Sequence, residues 1–244
     1  MVAIPASANL VVNGSFEGPI ASSYNGFPGS GSSYNYIAVN CNYALGISSE
    51  GVTPVCGPVT VANWAYVNTP TNPPYNSGGA GVAANGSAFG NTAAPDGNQV
   101  LFLQNQSSAA QTIGGIQAGD TYTISFYAEQ RSWGSPQTLD VTLGNQTLFS
   151  GTAPSSNAFT LETGSIVADQ SGSLALTLAG QTGQYGSDAT IFVDDVNLTL
   201  SSSSANVNFT SATPEPGFYG LLALGLSGFA TVLGRRNKAH KTYK

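Results

Sequence analysis

The stretch TYTISFYAEQ, from Thr121 to Gln130, is the most regular segment of this 244-residue chain. Its apolar residues Tyr122, Ile124 and Phe126 fall at every second position, with a hydroxyl residue between each pair. Side chains along a β-strand point alternately to the two faces of the sheet. A period of two therefore predicts a strand that turns one face toward a hydrophobic core.

Similar short segments recur on both sides of this stretch, separated by turns rich in Gly, Asn, Ser and Pro. About ten strands with no convincing soluble helix predict an all-β fold, a jelly-roll β-sandwich. Residues 21–31 and 69–90 are predicted to be long loops. The clear strand candidates lie at 10–16, 99–103, 121–130, 138–143, 173–178 and 190–200, and the weaker ones at 62–67, 109–113, 146–149 and 158–166.

Composition divides the chain into four predicted parts. Residues 1–8 are a remnant of a signal-peptide cleavage region, 9–200 the β-sandwich domain (the body), 201–213 a Ser-rich linker and 214–244 a C-terminal tail. The run Ala6-Ser7-Ala8 has the A-x-A form of a cleavage site. A signal peptide also needs a basic and an apolar region before that site. We therefore expect the natural start to lie further upstream.

The charge of the body restricts its function. Only 7% of the chain is charged, and 11 of its 12 acidic residues precede Pro214, whereas Arg131 is the one basic residue there. Such a body cannot neutralise phosphates, so nucleic acid is excluded as a partner. The single histidine, His240, lies in the tail. A catalytic triad is therefore excluded from the body, and the chain is predicted not to be an enzyme, although carboxylate pairs leave a glycoside hydrolase open.

Cys41 and Cys56 are the only cysteines, and both lie in a region rich in Gly, Pro and Asn. In an exported protein the favoured interpretation is a disulfide, which would stabilise the fold by about 3 kcal/mol through the closed loop. The alternative is two free thiols. A zinc site is disfavoured because the body lacks histidine.

The tail has three features in order. Pro214-Glu215-Pro216 comes first, a mainly apolar run at 218–233 follows, and Arg235-Arg236 closes the run. Sixteen helical residues span about 24 Å, which a tilted helix in a thinned bilayer accommodates. The basic cluster behind the run predicts a cytoplasmic C-terminus and an exported body. The alternative is a buried C-terminal helix.

This tail resembles the PEP-CTERM sorting signal of Gram-negative bacteria. The resemblance implies that the sorting motif is Pro214, Glu215, Pro216, Arg235 and Arg236, and that a membrane-embedded exosortase recognises and processes it. It also implies an exopolysaccharide-producing host. The expected location is the cell surface or the extracellular matrix, with transient anchoring in the inner membrane.

Three further segments resemble the galactose-binding-like jelly roll that is common among carbohydrate-binding modules. They are NLVVNGSFE at 9–17, AGDTYTISF at 118–126 and FVDDVNL at 192–198, and together they span nearly the whole body. The resemblance implies that the first and last strands lie side by side and share a structural calcium ion.

The last predicted strand carries carboxylates that fit such an ion. Phe192, Asp194, Val196, Leu198 and Leu200 would share one face, and its apolar members predict that this is the core face. Asp194 would then be buried, and a buried unpaired carboxylate is costly unless a cation is near. We therefore predict a structural calcium site formed by Glu17 and Asp194, with Asp195 as a further ligand. The alternative is that backbone N–H groups or water satisfy Asp194.

A second pattern continues beyond the opening stretch. Tyr127, Glu129, Arg131 and Trp133 would lie on one exposed face if the strand continued. Aromatic rings stack on sugars, and charged groups bond to sugar hydroxyls, so this row is a predicted sugar-binding site. The alternative is a surface Glu–Arg pair beside a tryptophan that covers a loop.

The sequence thus predicts an exported, non-catalytic protein that binds extracellular polysaccharide. A structural extracellular protein without a specific ligand is the alternative, and a glycoside hydrolase is a remote third. An exposed row would favour binding, and a covered row would favour the structural protein.

Overall fold

The structure is a computed structural model, and it describes residues 8–18, 34–39, 59–68, 79–154, 156–182 and 188–204. These residues form twelve strands and no helix. The strands are β1 (Tyr34–Val39), β2 (Val59–Val61), β3 (Trp64–Asn68), β4 (Gly79–Ala84), β5 (Gln99–Gln104), β6 (Ser107–Ile116), β7 (Thr121–Gln130), β8 (Thr138–Leu143), β9 (Gln146–Thr152), β10 (Thr160–Val167), β11 (Gly172–Gly180) and β12 (Thr190–Ser202).

The strands build two six-stranded antiparallel sheets. Sheet A has the order β1-β4-β5-β12-β7-β10, and sheet B has the order β2-β3-β6-β11-β8-β9. From β5 onward the chain passes repeatedly between the sheets, as in a jelly roll. The predicted all-β sandwich is therefore confirmed for the described part of the chain.

The strongest sequence patterns gave the most accurate strand bounds. The predictions 121–130 and 138–143 coincide with β7 and β8. In both strands buried positions alternate with half-buried ones over most of the length. One face of each strand packs into the layer between the sheets, where Ile124 and Phe126 of sheet A join Leu139 and Val141 of sheet B in one buried cluster.

The predicted strand at 10–16 is wrong, since this segment is irregular. Asn13 and Phe16 both have a φ of 54°, which an extended strand does not allow. The segment nevertheless lies along β12, because the Leu10 N–H donates to the Leu198 carbonyl at 2.8 Å. A side chain replaces a neighbouring strand, since the amide of Gln111 bonds both the N–H and the carbonyl of Val12 at 2.8 Å.

The prediction that every second residue of 192–200 faces the core is wrong at the start of β12. Phe192 lies in a separate cluster on the other face of sheet A. The β12 side chains that reach the inner core as fully buried groups are Ile191, Val193, Val196 and Leu198.

A β-bulge causes this exchange of faces. Asp194 is opposite Tyr127, but the next paired residue, Asn197, is opposite Ser125, so β12 has one residue more than β7 here. Asp195 has a φ of 48° at this point. An extra residue in a strand shifts the alternation by one position, so residues before and after it face opposite sides.

Two strands of sheet A, β1 and β4, were not among the predicted strands. β4 falls inside the predicted loop at 69–90, and β1 precedes it in sheet A. The sequence of β4, GAGVAA, lacks alternation because its residues are buried on both faces. The predicted loop at 21–31 lies outside the described residues.

The end of the body is more ordered than the predicted linker. Ser201 and Ser202 belong to β12, so the linker does not begin at 201. Asp120 Oδ1 then accepts a 2.6 Å bond from the Ser204 N–H and a 3.0 Å bond from its hydroxyl. These bonds hold the pKa of Asp120 below its usual value. The carboxylate therefore fixes the residues that leave the last strand.

Candidate functional site

The outer face of sheet A is covered over β4, β5 and the start of β12. Residues 85–98, here called the covering loop, connect β4 to β5. The Phe89 ring of this loop lies 4.3 Å from that of Phe102 and 6.1 Å from that of Phe192, measured between centroids. Tyr34 and Tyr36 pack against the same cluster from the edge strand β1. A second, aromatic layer therefore lies outside the sandwich core.

The predicted sugar-binding row begins in β7 and ends beyond it. Tyr127 and Glu129 belong to β7, which stops at Gln130. Arg131 continues the pairing by one residue, because its N–H donates to the Thr190 carbonyl at 3.0 Å. Trp133 lies in the following turn. Tyr127 is half-buried, Glu129 and Arg131 are largely covered, and Trp133 is exposed, so the row is not one open face.

Glu129 is wholly buried, which contradicts the prediction that it faces solvent. Its Oε2 accepts bonds from the Thr92 N–H at 3.1 Å and the Thr92 hydroxyl at 2.8 Å. Its Oε1 has no hydrogen-bond partner. Burial raises the pKa of Glu129, and the two bonds from Thr92 oppose that shift. Glu129 therefore holds the covering loop and is not available to a glycan at the surface.

Arg131 is held between two aromatic rings. Its guanidinium carbon lies 4.4 Å from the centroid of Phe89 and 4.4 Å from that of Trp133. Its Nη1 also forms a 2.8 Å salt bridge with Oδ1 of Asp188. Only 9% of its side chain is exposed, and its buried Nε has no hydrogen-bond partner. Arg131 therefore packs against the Trp133 ring from the protein side.

Trp133 is the exposed end of this stack. It is 47% exposed although the guanidinium covers one face of its ring. A Cβ on Gly90 would come within 2.3 Å of the Trp133 ring, so only glycine allows the ring this position. Gly134, with a φ of +96°, turns the chain directly after it against the Asp188 carbonyl. Trp133 is thus a fixed, solvent-facing aromatic surface.

Asp188 is a polar neighbour of this surface that the sequence analysis missed. Its side chain is 43% exposed, and Oδ1 accepts bonds from Arg131 and from Nε2 of Gln104. The Tyr36 hydroxyl donates to Oε1 of Gln104, and burial raises the pKa of Tyr36, which keeps this donor protonated. Asp188 is 57 positions from Arg131, and no local pattern links the two.

We call Trp133, Arg131 and Asp188 the Trp133 platform. It offers a flat aromatic surface beside a partly exposed carboxylate, and both are held by buried contacts. This is the combination that sugar sites use, an apolar surface with a few oriented polar groups.

Two of the three residues predicted to bind calcium, Glu17 and Asp194, accept hydrogen bonds from the same segment, residues 96–99. Glu17 Oε1 accepts bonds from the N–H groups of Asn98 at 2.8 Å and Gln99 at 3.0 Å. Asp194 Oδ2 accepts one from the Asp96 N–H at 2.8 Å, and its buried Oδ1 has no partner. Asp195 instead accepts a 2.8 Å bond from the Asn197 amide.

These contacts leave the metal prediction untested. Within the described ranges, no three His, Cys, Asp or Glu side chains come together as metal ligands. Calcium takes six to eight oxygen ligands, so backbone carbonyls and water would have to complete a site that Asp194 Oδ1 begins. The calcium site therefore stays a prediction.

Asp194 should make the stability of the fold depend on pH. Burial raises its pKa to about 7, the backbone N–H groups of Asp96 and Asp195 oppose the shift, and the carboxylates of the same two residues add to it. Between about pH 4 and 7 the folded state then holds a proton that the unfolded chain releases. Its stabilising contribution is complete below about pH 4 and is lost as the pH rises toward 7.

The variant Asp194→Asn isolates this effect. Chemical denaturation at several pH values should show it about 2–4 kcal/mol more stable than the native chain at pH 8, with the difference vanishing near pH 4. A constant difference across the range would contradict the prediction. Calcium added at pH 8 should stabilise the native chain but not the variant if Asp194 is a ligand.

Other predicted sites lie outside the described residues. These are the cysteines Cys41 and Cys56, the sorting motif at 214–216 with Arg235 and Arg236, and the membrane helix at 218–233. In the ranges that the structure describes, there is no helix of the length and hydropathy needed to cross a membrane.

The chain is similar to several solved structures at low sequence identity. No family model matches the sequence, and no curated protein matches it. The Stig cyclase Fisc from Fischerella sp. TAU has 17% identity and a TM-score of 0.45, over 69% of this chain and 100% of that one. The CBM22-1 xylan-binding domain of Paenibacillus barcinonensis Xyn10C has 15% identity and a TM-score of 0.38, over 59% and 88%.

A third solved structure, TmCBM61 in complex with β-1,4-galactotriose, has 16% identity and a TM-score of 0.36, over 56% of this chain and 88% of that one. The three structures are one cyclase and two carbohydrate-binding modules. Similarity at this level does not distinguish between their functions.

Proposed function

We propose that this protein is an exported, non-catalytic β-sandwich that binds polysaccharide through the Trp133 platform. The observation that carries the proposal is the half-exposed Trp133 ring, fixed on the Arg131 guanidinium 4.4 Å away. A large exposed aromatic side chain has a hydration cost that a sugar face relieves. Asp188 lies beside it as an acceptor for sugar hydroxyls.

The variant Trp133→Ala tests this proposal. The full chain should be retarded in gels that contain a polysaccharide it binds, and the variant should bind about fivefold to tenfold more weakly, because stacking on one ring contributes about 1–1.5 kcal/mol. Leu161→Ala is the matched control, since Leu161 is also exposed, at 56%, but lies on edge strand β10. Equal binding by all three chains would place the site elsewhere.

A structural role without a ligand is the second candidate function. It is favoured by Glu129 and Arg131, whose charged groups are engaged inside the protein by Thr92 and Asp188. In that case no polysaccharide would retard the native chain. Release of reducing sugar from any bound polymer would instead indicate a glycoside hydrolase.

We also propose that the tail directs export and transient anchoring through an exosortase. The support is the order Pro214-Glu215-Pro216, apolar run and Arg235-Arg236 in the sequence. Replacing the three motif residues with alanine should retain the chain in the membrane fraction of a host with an exosortase. Unchanged release to the surface would contradict this role.

A further inference from the structure

The single basic group of the body is not available to an anionic ligand. Arg131 is the only Lys or Arg before Pro214. Its Nη1 is paired with Asp188 at 2.8 Å, both faces of its guanidinium carry aromatic rings, and 9% of its side chain is exposed. A carboxylate or sulfate at the Trp133 platform would therefore find no free cation.

Asp188, the exposed polar group of the platform, favours ligands that donate hydrogen bonds. A carboxylate accepts hydrogen bonds and donates none. Oδ1 of Asp188 receives the bonds from Arg131 and Gln104, which leaves further acceptor capacity on a side chain that is 43% exposed. Sugar hydroxyls can donate to it, whereas an ionised carboxylate or sulfate group cannot.

The net charge of the body also disfavours acidic polymers. The Arg131–Asp188 pair is neutral as a unit, so it does not attract an anion from a distance. The ten other carboxylates of the body have no basic partner before Pro214. An acidic polymer would meet like charge that salt screens over about 10 Å at 0.1 M.

We propose that the Trp133 platform selects neutral, hydroxyl-rich glycan chains and rejects glycans that carry carboxylate or sulfate groups. This selectivity rests on the proposed function. It follows from a site whose cation is paired and covered while its carboxylate is exposed.

Matched polymers test the selectivity. The full chain is run in gels containing glucuronoxylan, polygalacturonate or alginate, each in native form and after chemical reduction of its carboxyl groups to hydroxyls, beside a panel of neutral glucans, galactans and mannans. Chelator is present throughout, so that calcium cannot bridge the protein to an acid. We expect binding to neutral or reduced polymers, and at least about tenfold weaker binding to the native acids at low salt.

The variant Asp188→Asn gives a second readout. It removes the exposed carboxylate and frees the Arg131 charge, so it should reduce the preference for neutral polymers, whereas Trp133→Ala should weaken all binding. Melting temperatures show whether each variant is folded. If it is not, the native chain still decides by the first comparison.

The outcomes separate the two proposals. Tight binding to the native acids that Trp133→Ala removes would overturn the selectivity and keep the platform as a glycan site. No binding to any neutral, reduced or acidic polymer would overturn the proposed function, and the selectivity with it.

Discussion

Replacing Gly164 with alanine is expected to lower the free energy of unfolding by about 3 kcal/mol. A Cβ on Gly164 would lie 1.8 Å from the Leu148 carbonyl oxygen and 2.8 Å from its carbonyl carbon. Gly164 is in β10 and Leu148 in β9, the edge strands of sheets A and B. The contact is with backbone, which cannot rotate away, so the two edges would have to separate. Urea denaturation followed by circular dichroism measures the loss.

Gly114→Ala is the matched control. Gly114 also lies in a strand, β6, but the nearest atom to its added Cβ would be the Ser173 hydroxyl at 3.8 Å. A new methyl group there meets ordinary contact and restricts the unfolded chain, so its effect should stay within about 1 kcal/mol. Equal losses for the two variants would show that the β9–β10 approach is not a close one in solution.

The burial of each strand's two faces explains how much of the fold the sequence could predict. β7 and β8 were predicted to the residue because one face of each is buried and the other is not. β4 was missed because the covering loop buries its second face and removes the alternation. Period-two patterns report a half-buried strand, and here the second face is buried in β4 and β5 but not in most of β7.

The bulge in β12 shows a second limit. The pattern of 192–200 has the period of a regular strand, and nothing local marks the extra residue at Asp195. The prediction that Asp194 is buried was nevertheless confirmed, although it lies on the outer face, because the covering loop closes over it. The sequence predicted correctly that Asp194 is buried, but it placed the residue on the wrong face of the sheet.

The candidate site was only partly predictable for a related reason. Trp133 and Arg131 were identified from their spacing in the chain, and the structure does bring them together. Phe89 and Asp188, which also contact the Arg131 guanidinium, come from segments 42 and 57 positions away. Contacts of this kind depend on which loops cover a sheet, and that is set by tertiary packing.

Trp64→Ala should be the most destabilising of the aromatic substitutions in the inner core, with a loss of about 3–5 kcal/mol. Trp64 is wholly buried, and its ring packs against Phe16 at a centroid distance of 5.0 Å. Its indole N–H also donates to the Asn13 carbonyl at 3.0 Å. The variant therefore creates a large cavity and releases the segment at 8–18 that lies along β12. Urea denaturation followed by circular dichroism measures both the midpoint and the slope.

The protein has two tryptophans, which makes Trp133→Ala the natural control for Trp64→Ala. Trp133 is 47% exposed and stacks on the Arg131 guanidinium, so its loss should cost about 1 kcal/mol. Trp64→Phe keeps most of the ring volume but loses the bond to Asn13, and should fall between the two at about 1–2 kcal/mol. If Trp64→Ala were no more destabilising than Trp133→Ala, the segment at 8–18 would not be docked on Trp64 in solution. The N-terminal residues, including Glu17, would then have no fixed position beside the last strand, and the predicted calcium site would lose its geometric basis.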